Sequence, residues 1–146
     1  MTMVFDDEYY MRLALAEAEK AYELGEIPVG CVVVAQDRII AKTHNLTEQL
    51  IDVTAHAEVQ AISSSANHIG GKYLKNCTMY ITLEPCVMCA GALYWSQISK
   101  VVIGAPDEKR GYTSAGLQLH PKTEIVSGVL QEECRMILQD FFKKRR

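Results

Sequence analysis

Thr78-Met79-Tyr80-Ile81-Thr82-Leu83-Glu84-Pro85-Cys86-Val87-Met88-Cys89 changes character halfway along. Thr78 to Leu83 is a β-branched and apolar run, the composition of a buried strand. Proline suits the first helical position, where its missing N–H would have no partner anyway. Pro85 therefore predicts a helix that starts at once, carries Cys86 and Cys89 on its first turn and ends near Ser96. Lys100 to Gly104 follows as another short apolar strand. Strand, helix and strand in succession predict an α/β domain around a partly parallel sheet.

Upstream, apolar residues recur at Met11, Leu15, Ala18 and Tyr22 between Asp6 and Leu24. This is helical spacing, with an aspartate available as N-cap and Gly25 just past the end. Val29 to Ala35 and Arg38 to Lys42 read as a hairpin joined by Gln36-Asp37. Thr54 is placed to cap a helix that carries His56 and Glu58 and continues through Val59, Ala61 and Ile62. Downstream, Ala105 to Pro121 reads as a long loop of the kind that is usually functional in small domains. Thr123 to Val126 is a fifth strand. Val129 to Lys144 is a last helix with Leu130, Cys134, Ile137, Leu138 and Phe141 on one face. The expectation is a single domain over 1–146, α/β in class, with a three-layer α/β/α architecture and a five-stranded mixed sheet.

His56, Cys86 and Cys89 are borderline-soft donors that suit Zn²⁺ and fill three of its four tetrahedral positions. An open fourth position means chemistry rather than a structural staple. Residues two apart on a helix point to different sides of it. His56 and Glu58 can therefore converge only beyond the helix end, where side chains tilt. Cys86 and Cys89 share one face of their own first turn. Two helix N-termini aimed at one ion also favour thiolates there. Glu58 is the acid/base of this reading, and the chain reads as a zinc hydrolase.

Hydrophobic residues make up 49% and charged residues 23% of the 146, which are globular values. No apolar run approaches the roughly 20 residues that span a bilayer, and the first eight residues carry acids where a signal peptide needs bases. A cytoplasmic protein without a membrane partner is expected. The five cysteines are an odd number without an export signal, which argues for free thiols and a metal. Cys31, Cys77 and Cys134 read as core or structural residues. His44, His68 and His120 read as locally bonded or solvent-facing, and Tyr94-Trp95 as core or interface residues. A net charge of −3 argues against a broad nucleic-acid footprint but not against a local one. The basic run Lys143-Lys144-Arg145-Arg146 reads either as a helix end that complements its dipole or as phosphate contacts.

The H-x-E and P-C-x-x-C pair resembles the signature of zinc-dependent nucleobase deaminases. Pro28-Val29-Gly30, Thr54-Ala55-His56-Ala57-Glu58, Leu83 through Ala92, and Gly128 through Cys134 to Asp140-Phe141-Phe142 extend the likeness. Over nearly the whole chain it resembles the bacterial tRNA-specific adenosine deaminases. That resemblance implies a cytidine-deaminase-like fold, one Zn²⁺ per subunit, and a homodimer that converts the wobble adenosine of a tRNA anticodon arm to inosine. It implies that His56, Cys86 and Cys89 hold zinc, that Glu58 shuttles protons, that Asn45 contacts the flipped base and that Asp107 lies beside the target nucleotide. Departures cluster around the substrate: Leu46 stands where the family often has arginine, and Leu50-Ile51-Asp52-Val53 replaces a more polar segment. Tyr94-Trp95 is similar to the related guanine deaminases, so a free base such as guanine or cytosine is the alternative substrate.

Overall fold

Gln36 and Asp37 both take positive φ, 52° and 61°, the backbone of a tight hairpin turn whose twist matches that of its strands. They join β1 (Gly30–Ala35) to β2 (Arg38–His44), with Ala35 paired to Arg38. The computed structural model describes residues 5–145. Met1 to Val4 of the acidic N-terminal segment and Arg146 of the basic tail lie outside the described residues. β3 (Cys77–Leu83) lies antiparallel to β1, whereas β4 (Lys100–Ala105) and β5 (Glu124–Ser127) continue the sheet in parallel. The order β2-β1-β3-β4-β5 gives the five-stranded mixed sheet that the sequence predicted.

Alternate residues of the central strands face opposite layers. Cys31, Val33, Met79, Ile81, Val101 and Ile103 meet α2 (Ala57–Ile69) and α3 (Val87–Ser96) through Ala57, Ala61, Ala90 and Leu93. Val32, Val34, Tyr80 and Val102 meet α1 (Asp7–Glu23) and α4 (Gln131–Lys144) through Met11, Ala14 and Cys134. Each large aliphatic side chain fully buried this way contributes about 1.5–3 kcal/mol. Cys31, Cys77 and Cys134 are buried, as expected.

Asp6 caps α1 by accepting from the Tyr9 amide at 2.9 Å, and Gly25 turns the chain beyond it at φ 77°. The buried stripe runs through Tyr10, Met11, Ala14, Glu17, Ala18 and Ala21, while Leu15 and Tyr22 sit at its margin. The alanines win because α1 lies flush on β1. A Cβ on Gly30 would stand 2.0 Å from the Ala14 carbonyl oxygen, so small residues are required on both sides of this contact. Among the described residues no helix is long and apolar enough to cross a membrane.

Candidate active site

α2 and α3 begin at the same edge of the sheet, and each begins on a metal-type side chain. His56 is the N-cap of α2 and Cys86 the N-cap of α3, and neither makes a side-chain capping bond. Two expectations are corrected here. Thr54 does not cap α2, because its hydroxyl and amide both donate to Asp52 Oδ1, at 2.7 and 2.9 Å. Pro85 precedes the cap rather than opening the helix, so of the two cysteines only Cys89 lies within the first turn. Leaving the cap position uncapped frees the imidazole and the thiol to turn toward one another.

His56 Nδ1 lies 3.6 Å from Cys86 Sγ and 3.4 Å from Cys89 Sγ, and all three donors fall within 4.8 Å of one another. Zn–N bonds of about 2.0–2.1 Å and Zn–S bonds of about 2.3 Å at a tetrahedral angle place nitrogen and sulfur about 3.5 Å apart. The spacing is that of a tetrahedron's edges. One imidazole and two thiols, with a fourth position left for a non-protein ligand, fit a zinc ion of the reactive kind. Among the described residues this is the one cluster of three such side chains.

Protons in the cluster are shared rather than independent. Hydrogen bonds from Cys89 and then His56 pull the Cys86 thiol down to about 3. The bond to Cys86 pushes the Cys89 thiol far up, helped by burial. The same Cys86 sulfur raises His56. A dication would displace these protons and hold both sulfurs as thiolates. Glu58, in the first turn of α2, is 4% exposed. Burial raises its carboxyl to about 7, against the pull of its own backbone amide and of His56, and it faces the Cys89 thiol.

Two loops border the cluster, and each hangs from a buried glutamate that sequence reasoning missed. The first carries Asn45, which is buried. Its amide nitrogen donates to the Ile27 carbonyl at 3.3 Å, and its Oδ1 accepts from the Thr47 amide at 3.3 Å. Glu26 is wholly buried and accepts from the amides of Glu48 and Gln49, at 3.0 and 2.7 Å, and from the Thr47 hydroxyl at 3.4 Å. The second loop carries Asp107, whose Oδ1 accepts from the amides of Lys109 and Arg110, at 3.2 and 3.0 Å. Glu84 anchors that loop. Neither Asn45 nor Asp107 hydrogen-bonds the metal-type side chains; their loops reach the cluster through the backbone, with the Leu46 amide donating to the Ala55 carbonyl at 3.1 Å and Gly111 bridging Cys86. The available signal was an acid set among apolar residues and proline, in Gly25-Glu26-Ile27-Pro28 and Leu83-Glu84-Pro85.

Trp95 is 76% exposed and Tyr94 40% exposed, so neither belongs to the core, which corrects that half of the reading. Tyr94 packs its ring on His120. His44 is locally bonded, with Nδ1 2.9 Å from the buried Glu17.

Residues 5–105 match the family described as the cytidine and deoxycytidylate deaminase zinc-binding region. The chain is similar to a tRNA-specific adenosine deaminase of Bacillus subtilis (strain 168), with 44% identity over 146 residues that cover 96% of this chain and 91% of the relative. Its fold matches a solved structure from work on A-to-I editing by tRNA:A34 deaminases at the wobble position of transfer RNA. There the TM-score is 0.81 and the identity 37%, over 89% of this chain and 99% of that one. A guanine deaminase from Bacillus subtilis is similar over less, 76% of this chain and 70% of its own, with TM-score 0.68 and 34% identity. A zinc-type cluster built on two helix N-termini, and relatives that match it from end to end, agree: the chain belongs to the cytidine and deoxycytidylate deaminase family and, within it, to the tRNA-specific adenosine deaminases.

Proposed function

We propose that this protein converts adenosine to inosine at the wobble position of tRNA, acting on the anticodon arm as a cytoplasmic homodimer with one zinc per subunit and with 1–146 as its single domain. The observation that carries the reading is the convergence of His56, Cys86 and Cys89 beside the buried carboxyl of Glu58. Identity to a tRNA deaminase is 44% over nearly the full length of both chains, against 34% over 76% of this chain for the Bacillus subtilis guanine deaminase.

His56, Cys86 and Cys89 would hold the zinc, with two thiolates and a neutral imidazole balancing its charge. Zinc supplies Lewis acidity that makes water nucleophilic near neutral pH. Glu58 takes a proton from the attacking water and returns it to the ring nitrogen beside C6. It then carries the proton of the new C6 hydroxyl to the departing amine as the C6–N bond breaks, so ammonia leaves and the base ends as hypoxanthine. The reaction consumes one water and needs no oxidant. Asn45 would hold the flipped base from the first loop, and Asp107 would meet the neighbouring nucleotide from the second. The positive ends of α2 and α3 favour the anionic ligands gathered between them.

Features on the same edge of the molecule support RNA. Lys109 and Arg110 are exposed next to Asp107. The end of α4 reaches the same edge, where Arg145 donates to the Gly25 carbonyl at 2.8 Å, next to Glu26 and the Asn45 loop. Lys144 is paired with Asp140 at 3.4 Å, so the tail has both a local role and charge to offer phosphates.

The test is a substrate panel: an anticodon stem-loop with wobble adenosine, and separately free adenosine, guanine and cytosine, with ammonia and inosine measured. Inosine in the RNA and no release from free bases is the expected result. Turnover of guanine or cytosine with none of the RNA would move the protein to the free-base deaminases.

A further inference from the structure

Glu84 lies between the end of β3 and Cys86, is 8% exposed, and is surrounded by donors. Its Oε1 accepts from the Asp107 amide at 3.2 Å. Its Oε2 accepts from the Thr113 amide at 3.1 Å and the Thr113 hydroxyl at 2.7 Å. One carboxylate thus grips both ends of the strap 107–113. Gly111 passes so close that a Cβ there would stand 2.1 Å from Oε2. The same strap is stitched to the start of α3: Gly111 bridges Cys86, and the Tyr112 amide donates to the Pro85 carbonyl at 3.0 Å. The Glu84 amide in turn donates to the Ala105 carbonyl at 2.8 Å, closing β3 onto β4 just before the strap begins.

We propose that Glu84 is a positioning residue for RNA binding: it fixes the strap against the metal helix so that Asp107, Lys109 and Arg110 present one rigid surface to the strand flanking the reacting base. This rests on the tRNA deaminase reading. Only a carboxylate meets the geometry, because three donors converge on two oxygens. An amide must turn an N–H₂ group toward one of those donors, and an alanine leaves them without a partner. Gly111 and Tyr112 of the strap are buried while Lys109 and Arg110 stand exposed on it, and ordering these cations before RNA arrives removes a cost from binding rather than from chemistry.

Glu84→Gln and Thr113→Val are compared with the wild type in three measurements: zinc stoichiometry, amide hydrogen exchange at Asp107 and Thr113, and steady-state deamination of an anticodon stem-loop. Thr113 is on the surface, so its variant folds even if Glu84→Gln does not. Faster exchange at both amides is expected in Glu84→Gln, with unchanged zinc, a KM raised about tenfold by the loss of charge-assisted bonds, and a kcat lowered much less. Thr113→Val should move KM the same way by less, and the double variant should fall short of the product of the two effects. An unchanged KM with kcat falling in step with zinc content would make Glu84 a purely structural residue and overturn the proposal. A wild type that deaminates no RNA would overturn the tRNA reading instead, and the exchange measurement would still decide whether Glu84 holds the strap.

Discussion

In the proposed mechanism Glu58 separates the chemistry from the metal. It is buried beside the cluster without belonging to it, so Glu58→Gln should keep one zinc per chain and lower turnover by about 10²–10⁴-fold, the range expected for a lost general acid/base. Zinc by atomic absorption and single-turnover inosine formation check both halves; a drop in zinc with turnover preserved would make Glu58 a ligand. Cys89→Ser and His56→Ala should do the reverse and lose zinc outright, seen as metal content well below stoichiometric after dialysis. These residues were legible in the sequence because a metal fixes both donor type and spacing. Their cap positions were not legible, since whether Thr54 or His56 caps α2 depends on Asp52, which claims both polar groups of Thr54.

Elements at this edge are held by buried acids rather than by apolar contact alone. Replacing Glu26 with alanine would remove three hydrogen bonds and leave the Glu48 and Gln49 amides without their partner. A loss of about 2–4 kcal/mol in denaturant unfolding is expected, at about 1–3 kcal/mol for each donor left unsatisfied. Glu17 gives a pH signature. Burial pushes its carboxyl up, but hydrogen bonds from Lys20 and His44 outweigh that and hold it below the usual range. A depressed folded-state value means that the contribution is complete above the ordinary glutamate range and disappears as pH falls through the folded value. Glu17→Gln should therefore flatten the acid limb of the stability curve and leave its slope above neutrality alone; an unaltered acid limb would contradict this. The strands were readable from β-branched runs and the turn from its two residues. The stripe of α1 was misplaced at Leu15 and Tyr22 because the flush contact over Gly30 selects alanine, which carries little hydrophobic signal.

Across the whole molecule, a net charge of −3 must coexist with an RNA substrate, so the positive charge has to be local. In the proposed complex Lys109, Arg110 and the end of α4 would provide it. Truncation after Phe142 should weaken binding of an anticodon stem-loop and lower the salt slope by about one or two rather than four, because Lys144 and Arg145 are already engaged with Asp140 and Gly25. An unchanged slope would return the tail to a purely structural role. The layered architecture followed from strand and helix order, and the cluster from two short motifs. What surrounds the substrate did not follow, since the anchoring of the two loops depends on single acids far away in sequence and the exposure of Trp95 on how α3 docks.

Both halves of the account, zinc chemistry run by Glu58 and an adenosine presented in RNA, meet in one measurement. An anticodon stem-loop with wobble adenosine is incubated with the wild type and with Glu58→Gln at equal zinc content, and its nucleosides are analysed by mass spectrometry. Inosine at the wobble position with the wild type, and a trace or none with the variant, is the predicted result. Equal inosine from both proteins, or none from the wild type alongside ammonia release from a free base, would contradict it.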